Sequence, residues 1–277
     1  MKKRKTILNR YCPFMESMEK SVMNKKSVLL MMCALPRTFK KTAPDIFESL
    51  IKPNEESFRF TTIISTDFSF EPTGIGYSQS ESSEIDLSYN DIEKLKLDLK
   101  VAYSRFGLKN ILNLKYDKKM IQWTYAYRIH QILRHEINVH YDYYVYLRPD
   151  VKVVSHDFSY GETAPLGKIK LNNYDNKFSI ISRDIPHHRK RRCASFKNRD
   201  WDLMWVGGEI PFKAWLKLFL KFSGLNWDTS ELNLDDNINL IENVSCQLEY
   251  NKAIKNKMIE CGYEFEFSSD VNLFSHI

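Results

Sequence analysis

The chain has 277 residues, 43% of them hydrophobic and 13% aromatic, with 41 Lys and Arg against 35 Asp and Glu for a net charge of +6. That much apolar matter can bury a sizeable core and excludes a chain disordered over most of its length. The mild basic excess suits an anionic small ligand or an anionic membrane surface and singles out no polyanion.

Residues 1–26 open with Lys2, Lys3, Arg4 and Lys5, and no secretory apolar stretch follows. They read as a basic leader, loosely packed or disordered, ahead of a single domain over residues 27–277. Tyr11, Phe14, Met15, Met18 and Val22 have a rough helical spacing, which leaves open an arm that touches a membrane surface. Ser27 to Leu35 is a continuous apolar run, the buried kind of strand, and Pro36-Arg37-Thr38 breaks it. Thr42 has the character of a helix N-cap, with Pro44 in the first turn and Ile46, Phe47, Leu50 and Ile51 as the apolar face. Phe58 to Ser65 is the next strand and ends at Thr66-Asp67, completing a strand–helix–strand unit with polar residues at both strand tips.

The stretch from Phe68 to Ser88 lacks any period and reads as a long loop. A helix follows to about Arg105, with Ile92, Leu95, Leu99 and Tyr103 on one face, then a short strand from Leu108 to Leu114. The spacing of Ile121, Tyr125, Ile129, Ile132 or Leu133, and Ile137 predicts a second long helix over 118–137. Tyr143 to Leu147 is a buried β-branched and aromatic strand that stops abruptly at Arg148-Pro149-Asp150, because proline cannot donate to a ladder. Further strands are expected at Phe178–Ile181, Leu203–Val206 and, on an edge, Tyr263–Phe267; helices are expected at Pro211–Phe222 and Ser245–Cys261, the last capped by Gly262. The alternation predicts one α/β domain. The five cysteines, Cys12, Cys33, Cys193, Cys246 and Cys261, are widely spaced with no CxxC, as free thiols in a reducing compartment would be. The longest apolar run, Val28 to Leu35, falls well short of the roughly 18–20 residues that span a bilayer, so a cytoplasmic protein is expected.

Four segments carry a family likeness. They are Leu35-Pro36-Arg37-Thr38-Phe39 after the first strand, Ser65-Thr66-Asp67 after the second, Gln122-Trp123 leading into Tyr141–Val145 and Arg148-Pro149-Asp150, and Asp200-Trp201-Asp202-Leu203-Met204-Trp205-Val206-Gly207. In this order the chain resembles small nucleotide-sugar-dependent glycosyltransferases of GT-A fold, found in large DNA viruses and in bacterial surface-polysaccharide clusters. The resemblance implies a Rossmann-like domain with a central, mostly parallel sheet flanked by helices, and transfer of a sugar from a nucleotide donor to a glycan acceptor. On the donor side it implies Arg37, Thr38, Thr66, Asp67, Arg148 and Asp150. Arg37 would sit where helix N–H groups favour a phosphate, with a fork suited to its oxygens, or would pair with Asp67. Arg148-Pro149-Asp150 stands in place of the family's Asp-x-Asp signature. Asp150 would ligate Mn²⁺ or Mg²⁺, or Arg148 would itself neutralise the leaving diphosphate. Asp202, with Asp200 as competitor, would be the base that takes the acceptor proton, and Trp201 and Trp205 would stack on the acceptor sugar or pack in the core.

The run His187-His188-Arg189-Lys190-Arg191-Arg192 is a solvated loop, a lid over a diphosphate, or a polyanion patch. The last option makes a nucleic-acid-binding module the rival reading, although no zinc-finger, RRM or KH pattern accompanies it. A non-catalytic relative that binds a sugar nucleotide or glycan is the other.

Overall fold

The computed structural model describes residues 25–33, 38–68, 89–114, 124–155, 165–174, 177–181, 203–222, 247–268 and 271–275. Strand β1 (Lys26–Cys33) is buried on both faces from Val28 onward, as its unbroken apolar run demands. Helix α1 (Phe39–Ile46) begins a turn before the expected cap, because Phe39 is apolar and buries with Ala43 and Ile46. Thr42 therefore lies inside the helix, not at its cap, and Pro44 lies in its second turn. A π-helical turn (Phe47–Ile51) and a 3₁₀ turn (Lys52–Asn54) complete the segment, and Phe47, Leu50 and Ile51 are buried as their spacing predicts.

β2 (Phe58–Thr66) runs parallel to β1, in register from Lys26 opposite Phe58 to Cys33 opposite Ser65. α2 (Tyr89–Ala102) leads through a 3₁₀ turn (Ser104–Phe106) to Gly107 and β3 (Leu108–Asn113). α3 (Thr124–His135) buries Ile129, Ile132 and Leu133. Residues 118–123 of the expected helix lie outside the described residues, and its carboxyl end comes earlier than the period predicts. The chain turns away at Glu136, which accepts bonds from Lys109 and the Tyr141 hydroxyl, and Ile137 is left exposed. β4 (Tyr143–Leu147) ends where Pro149 requires.

Two elements were not anticipated. β5 (Val151–Ser155) and β9 (Val271–Ser275) form a separate two-stranded antiparallel sheet. The remaining elements are β6 (Lys177–Ile181), β7 (Met204–Gly208), α4 (Glu209–Phe222), α5 (Gln247–Glu260) and the edge strand β8 (Glu264–Ser268). Gly262 ends α5 at φ +80°, with its N–H on the Ile259 carbonyl and the Tyr263 N–H on that of Met258.

The main sheet has seven strands in the order β3-β2-β1-β4-β7-β6-β8. Only β7 runs against its neighbours, so the sheet is mostly parallel. Val28, Leu30, Met32, Val145 and Leu147 face α1, α2 and the small sheet, while Leu29, Met31, Tyr144, Tyr146 and Trp205 face α3, α4 and α5. The result is an α/β fold with helices on both faces, as the alternation of elements predicts.

Candidate functional site

From β1 the chain builds outward through β2 and β3 on one side, and β4 takes the other side. The strand order therefore reverses between β1 and β4, and the crevice beyond the carboxyl ends of these two strands is where an open α/β sheet binds ligands. Met32 stands opposite Leu147, so the turns that follow β1 and β4 leave the sheet side by side. The tip of β2, at Thr66 and Asp67, borders β1 on its other flank. Because β7 is antiparallel, its first residues arrive at this same rim, where the Arg148 N–H donates to the Leu203 carbonyl at 3.0 Å. Four strand tips thus meet at one edge. Arg37 lies outside the described residues, as do Asp200, Trp201, Asp202 and the basic run 187–192, but the flanking residues Thr38, Ile181 and Leu203 are all at this edge.

Arg148 and Asp150 form the best-defined charged pair here. Arg148 Nε donates to Asp150 Oδ1 at 3.0 Å and Nη2 donates to Oδ2 at 2.7 Å, a two-pronged ion pair between residues two apart. Pro149 between them is held from the helix side, its carbonyl accepting the Thr42 hydroxyl at 2.5 Å. The Asp150 side chain is 6% exposed and that of Arg148 is 25% exposed. The acid is therefore turned inward and the cation stands on the rim.

Several buried hydroxyls without a hydrogen bond belong to the elements around this pair, Ser65 Oγ near the tip of β2 among them. Thr38 Oγ1 at the amino end of α1, Thr66 Oγ1 at the tip of β2, and Tyr103 Oη just past α2 are buried and make no hydrogen bond. Tyr103 stacks on Phe39 at 6.5 Å and meets Phe106 edge-on at 4.9 Å. Burial holds its hydroxyl protonated far above the ordinary tyrosine range, and the negative charge of Asp150 adds to the effect. Buried polar groups without partners are rare and costly, and those at the ends of elements bordering the switch point are candidates for bonding a ligand. Asp67 is also buried at the β2 tip. Sequence reasoning had placed Tyr103 in the apolar stripe of α2 and missed it as a site residue. The available signal was a hydroxyl at a position that a phenylalanine would fill.

Trp205 does not fit the acceptor role. It is fully buried at the second residue of β7, edge-on to Tyr125, Tyr146, Trp215 and Phe219 at 5.1–5.8 Å, so no ring face is open to a sugar. The alternation along β7 points it into the α3–α4 side, away from the crevice. Cys33, at the tip of β1, is also buried, which pushes its thiol up to about 12 against the opposing charge of Arg128 and makes it a poor nucleophile.

A divalent cation fits this donor set poorly. Both oxygens of Asp150 accept from the Arg148 guanidinium, and among the described residues no three His, Cys, Asp or Glu side chains group closely enough to hold a metal ion. Among the described residues, too, no helix is long and apolar enough to cross a membrane.

No family model matches the chain, and no curated protein matches it in sequence. Many solved structures are loosely similar, and two of them show how loosely. The inositol-1-phosphate CTP transferase of T. maritima is 12% identical, with a TM-score of 0.35 over 91% of this chain and 89% of that one. The nucleoside-diphosphate-sugar pyrophosphorylase of Vibrio cholerae RC9 is 12% identical, with a TM-score of 0.31 over 88% of this chain and 93% of that one.

Proposed function

We propose that this chain is a glycosyltransferase that moves a sugar from a nucleotide donor to a glycan hydroxyl. The observation that carries the reading is the Arg148–Asp150 pair at the reversal of strand order, with the cation on the rim beside the end of β1. Departure of a nucleoside diphosphate builds negative charge on phosphate oxygens. A guanidinium fixed by a carboxylate at its back is preorganised to receive that charge without a metal. In this reading Arg37 and the amino end of α1 hold the phosphates. Thr38, Thr66 and Asp67 bond the base or ribose. Asp202, or Asp200 two residues before it, takes the acceptor proton, and Trp201 lines the acceptor side. Leu203 supports the placing of that base, because it follows Asp202 in the chain and is bonded to Arg148.

A thermal-shift series with uridine- and guanosine-linked sugars, each with and without Mn²⁺, tests the proposal. A ligand that binds only the folded chain at a hundred times its dissociation constant adds about 2.7 kcal/mol of apparent stability. One nucleotide class is expected to raise the melting temperature in the absence of metal, and Arg148→Ala is expected to abolish the rise. Should no nucleotide sugar move the transition, the assignment fails. Release of free sugar from the bound donor then separates an enzyme from a binding protein.

A further inference from the structure

Exposed apolar surface is spread unevenly over this molecule. Six large aliphatic side chains stand exposed among the described residues, and five of them lie on the amino side of the sheet, opposite the candidate site. Val101 is in the last turn of α2 and Ile259 in the last turn of α5, the helices that lead to the starts of β3 and β8. Ile137 and Val139 lie between α3 and β4, and Ile210 is the second residue of α4, just past the end of β7. The His140–Glu209 ion pair, at 2.6 Å, brings the Val139 and Ile210 segments together. Single exposed aliphatics are ordinary, but five on one side of a sheet form an apolar edge.

A second signal enters at the same rim. Residues 1–26 carry eight Lys and Arg against Glu16 and Glu19, a net charge of +6. That equals the net charge of the whole chain, so residues 27–277 sum to zero. This leader joins the domain at Lys26, the first residue of β1, and the next residue, Ser27, is bonded to Asp142 at the start of β4. The rim's own charges are mixed: Arg59, Lys109 and Arg134 stand exposed, and so do Glu55, Glu56 and Glu260. Attraction to an anionic partner therefore comes from the leader, and apolar contact from the rim. We infer that the amino rim is a docking surface for an anionic lipid bilayer, with the basic leader as its electrostatic tether. A bilayer takes both signals: its phosphate surface attracts Lys and Arg, and aliphatic side chains enter the headgroup boundary. One signal alone gives weak, reversible binding, and two together give stable attachment. β1 has eight residues, so the crevice beyond its other end stands roughly 25 Å from the lipid and faces water.

Sedimentation of the full chain with vesicles tests this. Phosphatidylcholine vesicles containing about one-third phosphatidylserine should bind the parent at least about tenfold more tightly than pure phosphatidylcholine ones, and added salt should weaken the binding. Ile137→Ser, Val139→Ser and Ile210→Ser combined should lower the partition coefficient about tenfold, with the melting temperature unchanged because all three side chains are exposed. Should the triple variant not fold, Ile210→Ser alone should lower it about twofold. Glutamine in place of Lys2, Lys3, Arg4 and Lys5 should lower it about a hundredfold and flatten the salt dependence. Equal binding to both kinds of vesicle, or to neither, overturns the inference. Full retention by the serine variants overturns it too, since the leader alone would then carry the attraction. A parent that ignores vesicles but binds duplex DNA assigns the leader to a polyanion instead. Self-association lost in the triple variant, without vesicle binding, assigns the rim to a second copy of the chain.

Discussion

A single proline decides how Arg148 and Asp150 meet. Pro149 stops the β4 ladder, and the two side chains flanking it close on each other while Thr42 pins its carbonyl. That much was legible in the sequence, because a buried strand ending in Arg-Pro-Asp leaves opposite charges at a tip. The Tyr103 hydroxyl was not, since periodicity reports which residues face inward and is silent about what an inward hydroxyl bonds. Trp205 gives the opposite lesson. Three residues beyond Asp202, its aromatic ring suited a sugar platform or a core position, and because residues on a strand alternate, position 205 falls on the interior side. We expect Trp205→Leu to lower unfolding free energy by about 3 kcal/mol through the cavity it leaves. In chemical denaturation the folded fraction should then bind any donor as the parent does. A selective loss of binding would restore Trp205 to the site.

At the level of elements, the long apolar strands and amphipathic helices were legible because their periods are unambiguous. Boundaries suffered where tertiary packing outweighed a local cap. Phe39 draws α1 upstream of Thr42, and the Glu136 bonds cut α3 short of Ile137. β5 escaped notice because it follows Asp150 without punctuation, and its partner β9 lies more than a hundred residues away. The connection from α2 to β3 depends on Gly107, which sits at φ +67° with its α-carbon against β2. A Cβ there would stand 2.2 Å from the Phe60 carbonyl oxygen. Gly107→Ala is expected to destabilise the fold by about 3 kcal/mol, from backbone strain together with the displacement of β2, as equilibrium urea unfolding would measure. A loss below about 1 kcal/mol would mean that β2 yields easily.

For the molecule as a whole, the two rims of the sheet have different jobs. The carboxyl rim carries the candidate site. The amino rim carries fastenings: Asp142 Oδ2 accepts the Ser27 N–H at 2.6 Å and its hydroxyl at 2.8 Å, joining the starts of β1 and β4. Glu209 ties α4 to His140 and Tyr144 and pairs within the helix with Lys213. The Ser27 backbone bond leads in holding Asp142 below the ordinary aspartate range. Burial works against ionised Glu209, but Lys213 and His140 outweigh it, and its carboxyl too is lowered. A folded pKa below the unfolded one contributes stability that is present above the unfolded value and is lost as pH falls through the folded one. Melting temperature should therefore drop as pH falls below about 4, and Asp142→Asn should flatten that drop while lowering the plateau at neutral pH. Identical acid limbs for parent and variant would remove Asp142 from the account.

The reversed direction of β7 has a consequence for how this architecture can diversify. Ile181 and Met204 are paired neighbours, so the 21 residues between Ile181 and Leu203 connect two points one strand spacing apart. A hairpin needs as few as two residues for that journey. Closure entropy rises by only about 0.6 kcal/mol for each doubling of a loop. Relatives could lengthen, shorten or rewrite this span with little thermodynamic consequence for the scaffold, while the parallel strands at the reversal of strand order stay as they are.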